Sequence, residues 1–197
     1  MPARDHIRHL PNVLTVLRIL ATPAILVLMF STSLAGRLAA LVLFILAAIS
    51  DYADGEIARR LSSPTRIGRF LDPLADKVLV LGTFCGLALL FPNLVPWWAV
   101  GVVALRDIVV TSLRMRAEAR GRSIRTLPMA KTKTTVQLVF LIGMLAAMAA
   151  AKFPGAVGRT GGWVLDSPIP LIVLLVVVAI TAYTGAVYLY RTEYVTN

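Results

Sequence analysis

Apolar residues run along this chain in six long stretches, at roughly residues 11 to 30, 37 to 61, 70 to 91, 95 to 117, 134 to 152 and 168 to 190. As helices rising about 1.5 Å per residue, stretches of this length cross the roughly 30 Å of hydrocarbon in a bilayer. The breaks between them, "STSLAG", "SSPTRIG", "FPNLVP", "ARGRSIRTLPMAK" and "KFPGAVGRTGGWVLDSP", have the composition of turns. The pattern predicts an all-α polytopic membrane protein with six transmembrane helices. Six crossings put both termini on the same side.

Composition sharpens this picture. With 58% hydrophobic and only 15% charged residues, the chain is more apolar than a soluble domain, where the apolar share is about half even with Gly counted. No Gly/Ser-rich or Pro-rich linker divides it and no internal repeat is evident, so residues 1–197 are expected to form one transmembrane domain. The first apolar run starts near Val13, carries Arg18 inside it and is not closed by a small-residue cleavage site, which favours a retained span over a signal peptide. The single cysteine, Cys85, allows neither a disulfide framework nor a thiolate metal site within the chain and reads as a small core residue.

A net charge of +10 would raise the question of nucleic acid in a soluble protein. Here the placement of the cations answers it with topology, because Lys and Arg gather in short cytoplasmic loops. Arg4 and Arg8 lie in the N-terminal arm; Arg59, Arg60, Arg66 and Arg69 surround the second connection; Arg114, Arg116, Arg120, Arg122, Arg125, Lys131 and Lys133 surround the fourth; Arg191 follows the last span. The opposite loops hold only Arg37, Lys152 and Arg159. Both termini and the acidic stretch between the second and third spans are therefore expected on the cytoplasmic side of an inner (plasma) membrane. The basic fringe would also attract anionic lipid headgroups, by about 1 kcal/mol per residue near the surface.

That acidic stretch, "DYADGEIARRLSSPTRIGRFLDPLADK", places Asp51 and Asp54 three residues apart and Asp72 and Asp76 four apart. Either spacing stacks two carboxylates on one helix face, and a short turn would make the two helices antiparallel neighbours with all four acids near one end. Four ionised carboxylates in a partly buried site repel one another unless cations join them. An all-oxygen donor set without His or Cys suits hard divalent ions, and two Mg²⁺ or Mn²⁺ would balance the four acids and clamp a phosphoryl group. Gly55 and Ala58 just past Asp54, and Gly68 opening the next helix, leave room for a ligand to approach, although small residues also help membrane helices pack.

Taken together these residues spell D-x-x-D-G-x-x-A-R, eight further residues, then G-x-x-x-D-x-x-x-D, met by Asp51, Asp54, Gly55, Ala58, Arg59, Gly68, Asp72 and Asp76 without a departure. The pattern resembles the signature of the CDP-alcohol phosphotransferase family of membrane enzymes. The resemblance implies a six-helix membrane fold, a homodimer, and displacement of CMP from a CDP-linked lipid by an alcohol. It also implies that Asp51, Asp54, Asp72 and Asp76 hold two divalent metals, that Asp76 is the general base, and that Gly55, Ala58 and Arg59 lie along the nucleotide diphosphate.

Three further stretches, "LPNVLTVLR", "VPWWAVGVVALRDIVVTSLR" and "KTKTTVQ", are similar to the bacterial branch of that family that takes CDP-diacylglycerol as donor and glycerol 3-phosphate as acceptor. A dianionic acceptor needs cations that the metals do not already use. Arg106, inside an apolar span beside Asp107, is a candidate, with Arg114, Lys131 and Lys133 at the cytoplasmic mouth; an ion pair with Asp107 is the structural alternative for Arg106. Asn12, Thr15 and Arg18 share one face of the first helix and could line the nucleotide side, though Asn12 also suits an N-cap. The basic "RGRSIRTLPMA" keeps inositol phosphate open as an acceptor. A cation or proton transporter is the contrasting reading, weakened because the acids cluster toward one side and the last two spans show no matching polar sites. The last span, with Tyr183, Tyr188, Tyr190 and Tyr194, reads as an apolar helix with an interfacial aromatic end.

Overall fold

A computed structural model describes residues 17–60, 68–119 and 128–196, with side chains placed at 17–50, 77–113, 115–116 and 133–190. Among the described residues there are seven helices and no strand: α1 (Leu17–Met29), α2 (Leu34–Arg60), α3 (Gly68–Leu90), α4 (Trp97–Ala119), α5 (Pro128–Ala150), α6 (Gly155–Asp166) and α7 (Ile169–Thr196). Each of the six predicted spans overlaps a helix, namely α1 to α5 and α7, with residues 11–16 of the first lying outside the described residues. Lys133–Ala150 of α5 and Ile169–Tyr190 of α7 are by themselves long and apolar enough to cross a membrane, and Leu17–Met29, Leu34–Ser50 and Lys77–Leu90 are shorter apolar runs.

The turns have local chemical causes. Ser33 caps α2, its hydroxyl accepting from the Gly36 N–H at 3.0 Å. Arg37 donates to the carbonyls of Ser31, at 3.0 Å, and Met148, at 3.5 Å. That pins the start of α2 beside the end of α5, so these two helices run antiparallel. It also withdraws Arg37 from the surface, leaving exposed Lys152 and Arg159 as the other cations of the two loops concerned. The start of α7 uses the Ser167 hydroxyl for the Ile169 N–H, with Pro168 and Pro170 where a first helical turn tolerates a missing donor.

One apolar core joins the helices. Phe84 of α3 and Phe140 of α5 stack with centroids 5.8 Å apart, and Phe44, Leu87, Val103, Leu141, Leu145 and Leu174 are buried around them. α1 lies along α3 through the sequence Gly82-Thr-Phe-Cys-Gly86: a Cβ at Gly82 would come within 2.9 Å of Thr22, and one at Gly86 within 2.6 Å of Met29 Sδ. Small residues four apart let two membrane helices touch along their backbones. Large apolar side chains also cover much of the outer surface. Val27, Leu20, Leu105, Val139, Leu46 and Ile172 are each more than half exposed and come from five helices, an arrangement that suits lipid rather than water on the outside.

Two sequence expectations are corrected here. The segment "KFPGAVGRTGGWVLDSP" is not only a turn, because it contains α6. Its glycines, which read as breakers, serve close packing: a Cβ at Gly158 would collide with the carbonyl of Phe153, and one at Gly161 with the backbone at Ala150 and Ala151. The helix thereby folds back on the end of α5. Second, α5 starts at Pro128 and not near residue 134. Proline is at home in the first turn of a helix, so Lys131 and Lys133 are helical residues and not part of the connection.

Candidate functional site

The best-defined polar site lies where α3, α4, α5 and α7 meet. Asp107 of α4 is 1% exposed, and three cations from three helices surround it. Lys77 Nζ of α3 is 3.3 Å from Asp107 Oδ2; Arg106 Nη1 of α4 is 3.3 Å from Oδ1; Lys133 Nζ of α5 donates to the same Oδ1 and is itself buried. Burying this many charges is costly unless they are paired. Among the described residues one carboxylate, Asp107, is shared by three cations.

A seam of buried polar groups continues inward. Gln137, one turn beyond Lys133 on α5, donates to Thr181 Oγ1 of α7 at 3.3 Å. Thr181, Thr184 and Tyr188 occupy one face of α7, all buried, with Gly185 between them. A Cβ on Gly185 would stand 2.8 Å from Arg106 Cγ. The last two spans therefore do contribute buried polar positions, contrary to the reading from sequence. Tyr188 turns inward, whereas Tyr183 and Tyr190 are exposed as an interfacial aromatic end requires.

Arg18 of α1 is also buried. Thr22 packs at Gly82 and Met29 at Gly86, so α1 and α3 run parallel. Four residues back from that register, Arg18 comes level with Val78, beside Lys77 in the chain. The aspartate motif occupies the same end of the molecule by chain position. Asp76 directly precedes Lys77, their Cα atoms about 3.8 Å apart as across any trans peptide.

A profile of the CDP-alcohol phosphatidyltransferase family matches residues 8–185. The chain belongs to the CDP-alcohol phosphatidyltransferase family. It is similar to the CDP-diacylglycerol–glycerol-3-phosphate 3-phosphatidyltransferase of Bacillus subtilis, with 34% identity over 70% of this chain and 76% of that protein. It is 32% identical to the protein of the same name from Escherichia coli, again over 70% of this chain and 76% of the relative. A Cereibacter sphaeroides protein of that name is 38% identical over 66% of this chain and 60% of its own length. Membership makes the chain a phosphatidyltransferase, and the family motif can be followed onto the helices.

Asp51, Asp54, Gly55, Ala58 and Arg59 lie on the unbroken helix α2, and Gly68, Asp72 and Asp76 on α3. Each aspartate pair thus has the one-turn spacing that stacks two residues on a helix face. The side chains of these eight, and those of Arg114 on α4 and Lys131 on α5, lie outside the described residues, as do Asn12 and Thr15 altogether. Of the four cations expected at an acceptor phosphate, the described structure brings Arg106 and Lys133 together. It adds Lys77, which sequence reasoning passed over although a lysine just inside an apolar helix was its own signal.

Proposed function

We propose that this phosphatidyltransferase uses CDP-diacylglycerol as donor and glycerol 3-phosphate as acceptor, releasing CMP and phosphatidylglycerophosphate. The observation that carries the acceptor is the convergence of three cations from three helices, Lys77, Arg106 and Lys133, around Asp107. A phosphate monoester dianion suits such a cluster, and an arginine fork beside lysine point charges is a recurrent phosphate grip. The names of the relatives point the same way. A serine or choline acceptor has no use for such a site.

In this reading the acceptor's phosphate rests on the cation cluster and its free primary hydroxyl is presented toward Asp76, the chain neighbour of Lys77. The Asp76 carboxylate takes the hydroxyl proton. The hydroxyl oxygen bonds to the phosphorus that carries diacylglycerol, and the bond from that phosphorus to the bridging oxygen breaks, leaving with CMP. Arg59, with Gly55 and Ala58 giving room beside it, bears on the charge of the departing nucleotide, and buried Arg18 adds to the positive potential at the same end. The donor set fits a hard divalent cation, since four carboxylates on two helices without His or Cys are what Mg²⁺ or Mn²⁺ select. Held by Asp51, Asp54, Asp72 and Asp76, two such ions would supply charge neutralisation at the diphosphate.

The same proposal places the chain in a bacterial inner membrane as one domain of six spans, α1 to α5 and α7, with both termini and the site cytoplasmic, working as a homodimer. The cation distribution supports this orientation: Arg37 is spent on backbone carbonyls, which leaves Lys152 and Arg159 in the opposite loops. The test is CMP release by purified protein in detergent with CDP-diacylglycerol and Mg²⁺, comparing glycerol 3-phosphate, inositol 1-phosphate, inositol and serine. Turnover with glycerol 3-phosphate, lost with chelator and in Asp76→Asn, is the expected result. Turnover with a different alcohol only would overturn the acceptor while keeping the reaction class.

A further inference from the structure

Asp107 is none of the four motif aspartates, and nothing in the transfer step uses it. It is nonetheless the most enclosed acid of the described structure, and every cation of the acceptor site is arranged around it. Lysine and arginine side chains are long and lose much rotamer freedom when held in one place. Three of them from three helices would also repel one another without an anion between them. Asp107 removes both difficulties. Its Oδ1 takes Lys133 and Arg106, and its Oδ2 faces Lys77.

The fourth wall is α7. At Gly185 the stem of Arg106 lies against the helix with no room for a Cβ. The buried Arg106 Nε has no hydrogen-bond partner among the described residues, so the guanidinium retains a donor beyond those that serve Asp107. A buried donor without an acceptor is costly, and an incoming phosphate oxygen is the kind of group that would satisfy it.

We propose that Asp107 and Gly185 are positioning residues of the acceptor-phosphate site, Asp107 by spreading Lys77, Arg106 and Lys133 around one carboxylate and Gly185 by fixing the Arg106 guanidinium against α7. The role rests on the acceptor reading given above. It separates from a purely structural one, in which the ion cluster merely staples α3, α4 and α5, because positioning acts on one substrate and stapling acts on both. It also gives α7 a part in the site that no charged residue of its own would reveal.

The test is steady-state kinetics of the full chain in detergent for Asp107→Asn, Asp107→Glu and Gly185→Ala, with thermal stability recorded for each. In Asp107→Asn and Gly185→Ala the KM for glycerol 3-phosphate should rise by about tenfold or more, in line with disturbing a buried charge cluster at a binding site. The KM for CDP-diacylglycerol should stay within about twofold, and inhibition by inorganic phosphate should weaken in parallel. Asp107→Glu, which keeps the charge, should recover part of the loss. Gly185→Ala changes no charge and decides the matter if Asp107→Asn does not fold. A fall in kcat with both KM values unchanged, or an equal rise in both, would overturn the positioning role. Failure of the acceptor reading shows elsewhere, as a wild-type protein that releases no CMP with glycerol 3-phosphate.

Discussion

Removing the anion at the centre of the cluster should cost more stability than removing its most buried cation, Lys133. Asp107→Ala strands Lys133, which is 1% exposed, together with Arg106 at 11% and Lys77 at 23%. Taking one partner out of a buried pair costs about 3–5 kcal/mol, because the remaining charge stays uncompensated. Lys133→Met removes a charged hydrogen bond worth about 1.5–3 kcal/mol but strands nothing, since Asp107 keeps Lys77 and Arg106, each at 3.3 Å. For a chain of this size about 2–4 °C of melting temperature corresponds to each kcal/mol. The single variants should therefore fall by about 6–20 °C and 3–12 °C respectively. The double variant carries the sharper test: with Lys133 gone, Asp107→Ala strands one cation fewer, so the double should melt above Asp107→Ala alone. Thermal unfolding at one scan rate in one detergent measures all three. A double variant that melts at or below the additive position would refute the premise that Lys133 is stable only while Asp107 is present.

Other expectations follow from packing. Gly161→Ala should lower stability by about 1–3 kcal/mol through overpacking, because its Cβ meets the backbone of Ala150 and Ala151, whereas Gly162→Ala, with open space around it, should be neutral or slightly stabilising; a thermal scan of the pair separates close approach from helix propensity. Gly86→Leu should cost a similar about 1–3 kcal/mol by pressing on Leu26 and Met29, and unchanged melting would show that α1 does not rest on α3 there. Trp163, 61% exposed on α6 between the two clearest spans, should sit at the membrane interface. With Trp97 and Trp98 replaced by Phe, its fluorescence in vesicles should be quenched more by lipids brominated near the headgroup than by deeply brominated ones or by aqueous iodide.

Much of this architecture was legible because lipid imposes a simple rule on sequence. Backbone groups must be satisfied within each segment, so long apolar stretches become helices, and six of the seven follow from length and composition alone. The exception, α6, fails that rule's signals: its glycines at 155, 158, 161 and 162 look like breakers, and only the backbone of Ala150 to Phe153 reveals that two of them are contact surfaces. Pro128 misled in the same way, as a proline that opens a helix reads like one that ends a loop. The aspartate motif was readable because its spacing is local to two helices. Of the cation cluster, Arg106 and Lys133 were legible as acceptor cations, but Lys77 and the place of Asp107 among all three were not, because positions 77, 106–107 and 133 meet only when three helices pack.

Placement of the two clusters relative to each other is the deeper constraint. On α3 the last motif aspartate and the cation proposed for the acceptor's phosphate are consecutive residues, Asp76 and Lys77. If the proposed roles hold, a helix that carries both fixes the separation of proton acceptor and phosphate anchor by its covalent backbone, whatever the other helices do. Precision of this kind belongs to rigid elements and not to loops, and an acceptor with a hydroxyl at one end and a phosphate at the other is the substrate shape that uses it. Moving the cation along the helix is therefore informative. The exchange Lys77→Ala with Val78→Lys keeps the charge and the helix while turning the anchor by about 100°. It should abolish turnover with glycerol 3-phosphate and leave the melting temperature closer to that of Lys77→Ala than to wild type. Retained turnover would mean that the acceptor's phosphate is held by Arg106 and Lys133 alone, without Lys77.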